Sequence, residues 1–396
     1  MAVLSDVHNR IHESVQDLSS PIIDLSLDIH RHPELALQEF YAADKLIEFL
    51  KHEEFTIESP LANLPTAFRG VAGSGQHPKI GYLLEYDALP KLGHACGHNL
   101  IAAGGALAAI ALRRSWPDCP GTIEAIGTPG EEGAGGKITE LKAGVFSDVD
   151  VAMMFHPGDR TWPWRHATAA VHLTVEFTGV SAHAAGSPQS GRNALASMIQ
   201  FFVSVDGLRQ HIPETSRLHG IITHGGDAPN IVPDYTRATF IARALTQAEA
   251  LELVERVANC AKGAALASGT QENVEVGPPY SERKNNHTLA SRVFLYLNEL
   301  GVPSEDPVLK GGTGSSDIGN VSLVIPAIHP YLQIAPRGTP GHSAAFCEAA
   351  ASHDAQVSMI RMGEALAHAG ADFLGDETFR SAVEEEFRTS GADFPD

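Results

Sequence analysis

Three short segments of the sequence contain the residue types that bind catalytic metals. Residues 94–99 are His-Ala-Cys-Gly-His-Asn, residues 128–133 are Thr-Pro-Gly-Glu-Glu-Gly, and residues 153–157 are Met-Met-Phe-His-Pro. Thiolate, imidazole and carboxylate groups are the side chains that hold catalytic divalent ions. Two adjacent glutamates also offer one carboxylate for an ion and a second for proton transfer. The three segments together therefore predict a hydrolase that uses metal-activated water.

A short apolar run precedes each of these segments and indicates a buried strand. The runs cover residues 79–84, 121–126 and 150–155, and an alanine-rich helix at 100–114 lies between the first two. Strands and helices that alternate in this way predict an α/β fold with a mostly parallel central sheet flanked by helices. Because open α/β sheets place their sites at the carboxyl ends of the strands, we expect the three segments to meet there.

The pattern changes between residues 170 and 280. Strand-like and helical segments follow there in the order β-α-β-β-α-β, which is the ferredoxin-like arrangement. The pair Pro278-Pro279 ends this stretch. We therefore expect a catalytic metallohydrolase domain made of residues 1–169 and 281–396, interrupted by an inserted lid and dimerisation domain of residues 170–280.

Composition excludes several classes of partner. The chain has 396 residues, with 48 acidic and 28 basic side chains and a net charge of −20, which argues against nucleic acid or an anionic membrane as a partner. It has no apolar run of about 18 residues, so no membrane span is expected, and the first residues do not resemble a secretory signal. The four cysteines are too scattered for a disulfide framework, which predicts a reducing, cytoplasmic location.

Each motif also has a simpler explanation. A lone cysteine such as Cys96 is more often a small buried apolar residue, adjacent glutamates are usually a solvated turn, and His156 could be a hydrogen-bonded core histidine. Their common position after strands, and the absence of counter-charges around Glu131 and Glu132, favour a site. Glu132 would then bind metal while Glu131 acts on the water.

Two acidic residues at the end of the first predicted strand need separate roles. Asp87 is well placed to act as a carboxylate that orients a ligand histidine and raises its basicity. The role of Glu85 is left open between a functional and a structural one.

The order of these motifs resembles the dinuclear-metal aminoacylase and carboxypeptidase family of clan MH. The matching segments are Asp87-Ala-Leu-Pro, His94-Ala-Cys-Gly-His, Gly130-Glu-Glu-Gly, Phe155-His-Pro and Gly179-x-Ser-Ala-His-Ala. Within this family the chain is most similar to the amidohydrolase branch of indole-acetyl-amino-acid and aminobenzoyl-glutamate hydrolases. Residues 91–102, Gly319-Asn-Val-Ser and Ile328-His-Pro-Tyr most resemble its β-alanyl-lysine (Xaa-Arg) dipeptidases. The resemblance covers nearly the whole chain.

The resemblance implies two divalent metal ions per subunit, zinc or manganese, with cobalt also possible. It implies Glu131 as the general base. The ligands that it implies are Cys96, His98, Glu132, His156 and His342. His329 is an alternative to His342, although its Ile-His-Pro-Tyr setting is more typical of a pocket wall.

In the lid, the resemblance implies residues that complete the site. His183 would reach the active site of the partner subunit in a homodimer and bind the oxyanion, while Asn230 and Arg243 would contact the substrate backbone or carboxylate.

The glycine-rich loop 311–317 lacks a following lysine and would line the substrate through Ser315 and Asp317 rather than bind phosphate.

Two positions depart from the family pattern. Glu85 stands where more distant members have a histidine, and Asn99 stands where many branch members have an aspartate.

The expected activity is metal-dependent hydrolysis of a C–N amide bond in a small dipeptide-like or N-acyl amino acid substrate. Three alternatives stay open: an amidohydrolase of N-acyl amino acids or aminobenzoyl-glutamate, a hydrolytic deaminase on the same site, and a non-catalytic metal-binding scaffold.

Overall fold

The computed structural model describes residues 2–307 and 314–394. These residues form two compact units. The first unit contains residues 2–166, 283–307 and 316–394, and the second contains residues 167–282 with 314–315. Residues 311–313 of the glycine-rich segment lie outside the described residues. The chain thus crosses from the first unit to the second after His166 and returns after Glu282.

The helices and strands of the described residues are as follows. The α-helices are α1 (Ala2–Arg31), α2 (Phe40–His52), α3 (His98–Ser115), α4 (Gly136–Lys142), α5 (Ala194–Arg209), α6 (Gln247–Ser268), α7 (His287–Glu299), α8 (Ile318–Ser322), α9 (Ala344–Ala350), α10 (His353–Gly375) and α11 (Glu377–Thr389). The strands are β1 (Thr56–Glu58), β2 (Phe68–Gly73), β3 (Lys79–Leu84), β4 (Thr122–Gly127), β5 (Val151–Met153), β6 (His156–Gly158), β7 (Ala169–Thr178), β8 (Ala182–His183), β9 (Arg217–His224), β10 (Ile231–Val232), β11 (Tyr235–Ala244), β12 (Gln271–Val276), β13 (Ala327–Ile328) and β14 (Tyr331–Gln333).

The first unit is built on a six-stranded sheet in the order β1-β2-β4-β3-β5-β13. The run β4-β3-β5-β13 is parallel, whereas β1 and β2 add an antiparallel edge. The expected α/β class is confirmed, with the sheet mixed rather than parallel throughout. Because the four parallel strands share one direction, the residues that follow β3, β4, β5 and β13 emerge at the same edge of the sheet.

Helix α3 packs between the sheet and the helices α1 and α10. Nearly all of its residues are buried, because its many alanine and glycine residues are small enough to allow close packing on every side. This buried helix fixes the position of its first residue, His98, which is the link between the packing of the core and the candidate site. In the described part of the chain, no helix is both long and apolar enough to cross a membrane.

The second unit has a four-stranded antiparallel sheet in the order β12-β7-β11-β9. Helices α5 and α6 pack on one of its faces, which confirms the expected β-α-β-β-α-β order. Strand β7 alternates between a buried and a more exposed face, which explains why the helices cover only one side of the sheet. Leu173, Val175 and Phe177 are buried in the core under the helices, and the residues between them are more exposed. Strand β9 lies at the edge of the sheet.

Candidate metal centre

The segment after β3 leads into α3 through a turn that requires glycine. Gly97 has a φ of +74°, and a Cβ atom there would lie 2.8 Å from Cγ of Pro157. Any larger residue would be strained in conformation and would also clash with the segment that carries His156. The turn thus brings Cys96 and His98 close to the residues that follow β5.

The loop after β4, which carries the glutamate pair, is held by hydrogen bonds from its backbone amides. The amide of Thr128 donates to the carbonyl of Leu84 at 2.8 Å, and that of Gly130 donates to Oε1 of buried Glu39 at 2.9 Å. A Cβ atom at Gly136 would lie 1.7 Å from the carbonyl oxygen of Pro129, so the loop closes only with glycine there. This compact loop positions Glu131 and Glu132 at the edge of the sheet.

Cys96, Glu132 and His342 form the first group of possible metal ligands. The Cys96 thiol donates a hydrogen bond to Oε1 of Glu132 at 2.6 Å, and Nε2 of His342 lies 3.4 Å from the same oxygen. Their ligand atoms all lie within 4.8 Å of one another. Burial, and then the charge of Glu132, raise the pKa of the Cys96 thiol. A divalent ion would take the place of the thiol proton.

His98, Glu131 and Glu132 form a second such group, again with ligand atoms within 4.8 Å. Glu132 belongs to both groups, so it would help to hold an ion at either of them. The Nε2 atom of His98 is buried and has no hydrogen-bond partner among the described residues, as expected of an atom reserved for a metal. The thiol, imidazole and carboxylate donors of the two groups suit divalent ions.

Asp87 connects the two groups through two hydrogen bonds. Its Oδ1 atom accepts a hydrogen bond from Nδ1 of His98 at 3.0 Å, and its Oδ2 atom accepts one from the backbone amide of Glu132 at 2.9 Å. The bond to Nδ1 leaves Nε2 of His98 as the metal-facing atom. Burial alone would lower the pKa of His98, but Asp87, followed by Glu85 and Glu132, outweighs burial and raises it.

His156 lies beside these groups without belonging to either. Its ring is 5.9 Å from the ring of His98, edge to face. The Nδ1 atom donates to the carbonyl of Pro157 at 2.7 Å, so Nε2 carries the lone pair. Burial, and then the nearby His98, lower the pKa of His156 to about 4, which leaves its Nε2 atom unprotonated near neutral pH.

The two adjacent glutamates differ in their electrostatic environment. Burial, and then the charge of Glu132, raise the pKa of Glu131 well above its usual value. Burial has the same direction at Glu132, but the contacts with His342, His98 and Cys96 outweigh it and lower that pKa. One carboxylate that readily accepts a proton beside one that stays ionised is the pattern expected of a base and a ligand.

Some residues considered from the sequence lie apart from these groups. His329 packs against His156 with ring centroids 5.3 Å apart, but belongs to neither ligand group of the described residues. Asn99 is buried and donates to Ser26 and to the carbonyl of Ala350. Asp317 is buried against Lys137, so its expected contact with substrate has no support in these bonds.

The remaining predicted residues lie in the second unit. His183 is exposed, and its Nδ1 atom accepts a hydrogen bond from the amide of Gly186 at 3.0 Å, so the neutral ring carries its proton on Nε2. Arg243 donates to Oγ of Ser315 at 2.8 Å, and Ser315 donates to the carbonyl of Thr168 at 2.5 Å. Asn230 is exposed beside β10.

Two buried residues near the candidate ligands were not found from the sequence. Lys137, at the start of α4, binds Glu85 and Asp317 with its ammonium group. Glu39 holds the amide of Gly130 and also accepts from Thr66. The only available signal was that a glutamate at the end of a buried strand, such as Glu85, requires a nearby cation.

Comparisons with known proteins give the same class as the fold and the site. A model of the peptidase dimerisation domain matches residues 167–268. The chain is 36% identical to a Xaa-Arg dipeptidase of Mus musculus, over 98% of this chain and 93% of the mouse protein. It is also 32% identical to one of the subunits of the p-aminobenzoyl-glutamate hydrolase of Escherichia coli, over 76% of this chain and 66% of that protein.

A solved structure from Bacillus subtilis has the same fold. It is described as a dinuclear metal binding peptidase of the M20 family and matches with a TM-score of 0.63 at 20% identity, over 89% of this chain and 98% of that one. This likeness shows the shared fold. The similarity to the Xaa-Arg dipeptidase and to the aminobenzoyl-glutamate hydrolase identifies a hydrolase that acts on C–N amide bonds. The chain belongs to the M20 peptidase family, and the resemblance found in the sequence is confirmed.

Proposed function

We propose that this enzyme is a dipeptidase that cleaves small dipeptides with a basic residue on the leaving side, in a reaction that requires two divalent ions. The observation that carries this proposal is the pair of ligand groups that share Glu132, in a chain 36% identical to a Xaa-Arg dipeptidase along nearly its whole length. The net charge of −20 also favours cationic substrates.

The proposed ligands are Cys96, His98, Glu132, His156 and His342. The thiolate and imidazole donors favour zinc, while the carboxylate also accommodates manganese or cobalt. When bound, the ions would lower the pKa of water toward neutrality and polarise the scissile carbonyl.

Glu131 acts as the general base in this proposal. Its carboxylate takes a proton from the attacking water and then passes that proton to the departing amine nitrogen, while the C–N bond breaks. The raised pKa of Glu131 fits a group that must hold a proton between these two events. Asp87 keeps His98 oriented throughout.

Residues of the second unit complete the proposed site. Arg243 is positioned by Ser315 and has a guanidinium fork suited to a substrate carboxylate, and Asn230 supplies a further polar contact. His183 of the partner subunit would donate from Nε2 to the oxyanion, since Nδ1 is already an acceptor.

A homodimer through the lid domain is part of the proposal. Exposed apolar side chains lie on α5 and on the edge strand β9: Ile199, Val203, Ile221 and Ile222 are between 42% and 66% exposed. Strand β9 also presents an unpaired backbone edge, which another copy could extend. Large exposed apolar surface of this kind marks interaction sites.

A cytoplasmic location is proposed from the state of the cysteines. Cys96, Cys119, Cys260 and Cys347 are all free thiols in the structure, and Cys96 must stay reduced to bind a metal.

The second candidate function keeps the site and changes the substrate. The similarity to the Escherichia coli aminobenzoyl-glutamate hydrolase favours hydrolysis of N-acyl amino acids or aminobenzoyl-glutamate. Hydrolytic deamination of an aromatic amine would use the same groups. A non-catalytic scaffold is disfavoured because the Glu131 carboxylate lies within the second ligand group.

A substrate panel separates these candidates. Anaerobically purified protein would be loaded with zinc, manganese or cobalt in turn and assayed on β-alanyl-lysine, an Xaa-Arg dipeptide, an N-acyl amino acid, aminobenzoyl-glutamate and an aromatic amine. The proposal predicts the highest kcat/KM on the two basic dipeptides. A higher value on aminobenzoyl-glutamate or the N-acyl amino acid favours the second candidate, and ion binding without turnover of any substrate favours the scaffold.

A further inference from the structure

Two buried polar atoms face each other beside the candidate metal centre. They are Oε2 of Glu85 and Nε2 of His98, and neither has a hydrogen-bond partner among the described residues. Both side chains are fully buried, and the two atoms lie 3.6 Å apart. This separation is longer than the roughly 2.7–3.2 Å of a hydrogen bond from a nitrogen to an oxygen. Because unpaired polar atoms in the interior cost free energy, a third group placed between these two would stabilise both.

Both free atoms are acceptors, which favours a cation between them. The Nδ1 atom of His98 donates to Asp87, so Nε2 of the neutral ring carries the lone pair. The Oε2 atom belongs to a carboxylate whose other oxygen is already bound by Lys137. A zinc ion lies about 2.0–2.1 Å from a nitrogen ligand and about 2.0–2.2 Å from an oxygen ligand, so two such ligands at a tetrahedral angle are about 3.3–3.5 Å apart. The observed separation is close to this value.

We propose that Glu85 is a further metal ligand, which binds through Oε2 the ion that His98 holds. This inference rests on the proposed function, because it takes His98 as a ligand. It adds a carboxylate oxygen to an ion position that His98 already shares with the paired glutamates.

Lys137 orients Glu85 for this role. Its buried ammonium donates to Oε1 of Glu85 at 2.5 Å and to Oδ1 of Asp317 at 2.9 Å, and its backbone amide donates to Oδ2 of Asp317 at 3.0 Å. Because the ammonium occupies Oε1, Glu85 presents a single oxygen to the ion. A hydrogen-bonded partner that fixes a ligand carboxylate in this way is a regular feature of metal sites.

Charge balance with Lys137 is the simpler explanation for a buried Glu85. It accounts for Oε1, which accepts from the ammonium, but it leaves Oε2 buried without a hydrogen bond in the described part of the chain. Asp317 shows the difference, because the same lysine donates to both of its oxygens. Ligation of an ion explains both oxygens of Glu85.

Zinc binding to Glu85→Gln tests this role. Glutamine keeps the size of the side chain and can still accept from Lys137, but it removes the ligand carboxylate. Affinity for one of the two ions should therefore fall by more than about 100-fold, beyond the range for residues that only support ligands. Titration of the metal-free full chain against a zinc chelator measures both affinities.

Asp317→Asn is the matched control, because it removes a second fully buried carboxylate from the same ammonium. Its zinc affinities should fall by less than about 10-fold, since no ligand is lost. The proposal is overturned if the loss in Glu85→Gln stays below about 100-fold, or if Asp317→Asn loses as much.

A crystal structure of the zinc-loaded wild type covers the case in which Glu85→Gln does not fold. Anomalous diffraction locates the ions, and Oε2 of Glu85 should lie about 2.0–2.2 Å from the ion on Nε2 of His98. A water molecule between these two atoms, or an ion on His98 that Glu85 does not reach, overturns the proposal.

Wild-type turnover separates this inference from the proposed function. A wild type that binds two zinc ions, one of them through Glu85, but hydrolyses no amide contradicts the proposed function alone. A wild type that hydrolyses basic dipeptides while Glu85 contacts no ion contradicts only the role of Glu85.

Discussion

The carboxylate of Asp87 and the imidazole of His98 form a buried hydrogen bond of 3.0 Å between Oδ1 and Nδ1. Both side chains are almost completely inaccessible to solvent. The second oxygen of Asp87 accepts from the amide of Glu132. A single carboxylate thus orients a histidine from the β3–α3 segment and the backbone of the β4 loop, and it couples the two ligand groups.

Replacing Asp87 with asparagine should weaken metal binding without removing a ligand. An amide cannot both accept from His98 and supply the negative charge that raises the basicity of its ring, so affinity for the ion should fall about 10–100-fold. Titration of metal-free protein with zinc measures this directly. Asp148→Asn, a half-exposed aspartate that binds Lys79, is the control. Equal zinc affinity in Asp87→Asn and wild type would contradict the role given to Asp87.

His342 and His329 differ in their expected effect on metal content. His342 lies 3.4 Å from Oε1 of Glu132 and has a pKa raised by its bond to that carboxylate, whereas His329 packs on His156 outside the ligand groups of the described residues. His342→Ala should therefore lose an ion and His329→Gln should retain two. Elemental analysis of the dialysed variants distinguishes them. The reverse pattern would make His329 the ligand.

We expect Glu39 to make the free energy of unfolding of the metal-free protein depend on pH. Burial raises its pKa from 4.5 to about 7. Because the folded value is the higher one, its contribution to stability is full below about pH 4.5 and is lost as pH rises through about 7. Relative to Glu39→Gln, the free energy of unfolding of wild type should fall by on the order of 3 kcal/mol across this range.

Urea unfolding at several pH values between 4.5 and 7.5 measures this difference. Glu48→Gln on the exposed face of α2 is the control and should follow wild type. If the curves of wild type and Glu39→Gln run parallel, Glu39 is not the group responsible.

Charges introduced on α5 and β9 should dissociate the proposed dimer. Val203 is 66% exposed on α5 and Ile222 is 42% exposed on β9, so Val203→Glu/Ile222→Glu would place four charges in the proposed twofold interface. Sedimentation velocity should show monomers for this variant and dimers for wild type. The control is Leu266→Glu, an exposed apolar position on α6. A dimer that survives the double change lies on another surface.

Much of the fold followed from apolar patterns. Residues 79–84 were predicted as a strand and form β3 with the same bounds, and the strand predicted at 121–126 is β4, Thr122–Gly127. These segments are predictable because a buried run and its neighbouring helix are local features of the chain. The antiparallel edge strand β1 was missed, since its three residues have no apolar repeat.

The supporting residues of the site could not be predicted in the same way. Lys137 contacts Glu85 across 52 positions of sequence, and Glu39 contacts Gly130 across 91. Lysine and glutamate are usually exposed, so only tertiary structure reveals these as buried partners. The candidate ligands were easier to propose, because cysteine, histidine and paired glutamate after strands indicate their chemistry by type and position.

The most direct test of the account is to compare Glu131→Gln with wild type for both bound metal and amide hydrolysis. Glutamine keeps the size of the side chain but cannot take a proton from water, so the variant should bind two ions per subunit and lose turnover by about 100-fold or more. Elemental analysis and release of the amine product from β-alanyl-lysine give both values on one sample. Turnover close to wild type with both ions bound would contradict the role of Glu131 as the general base.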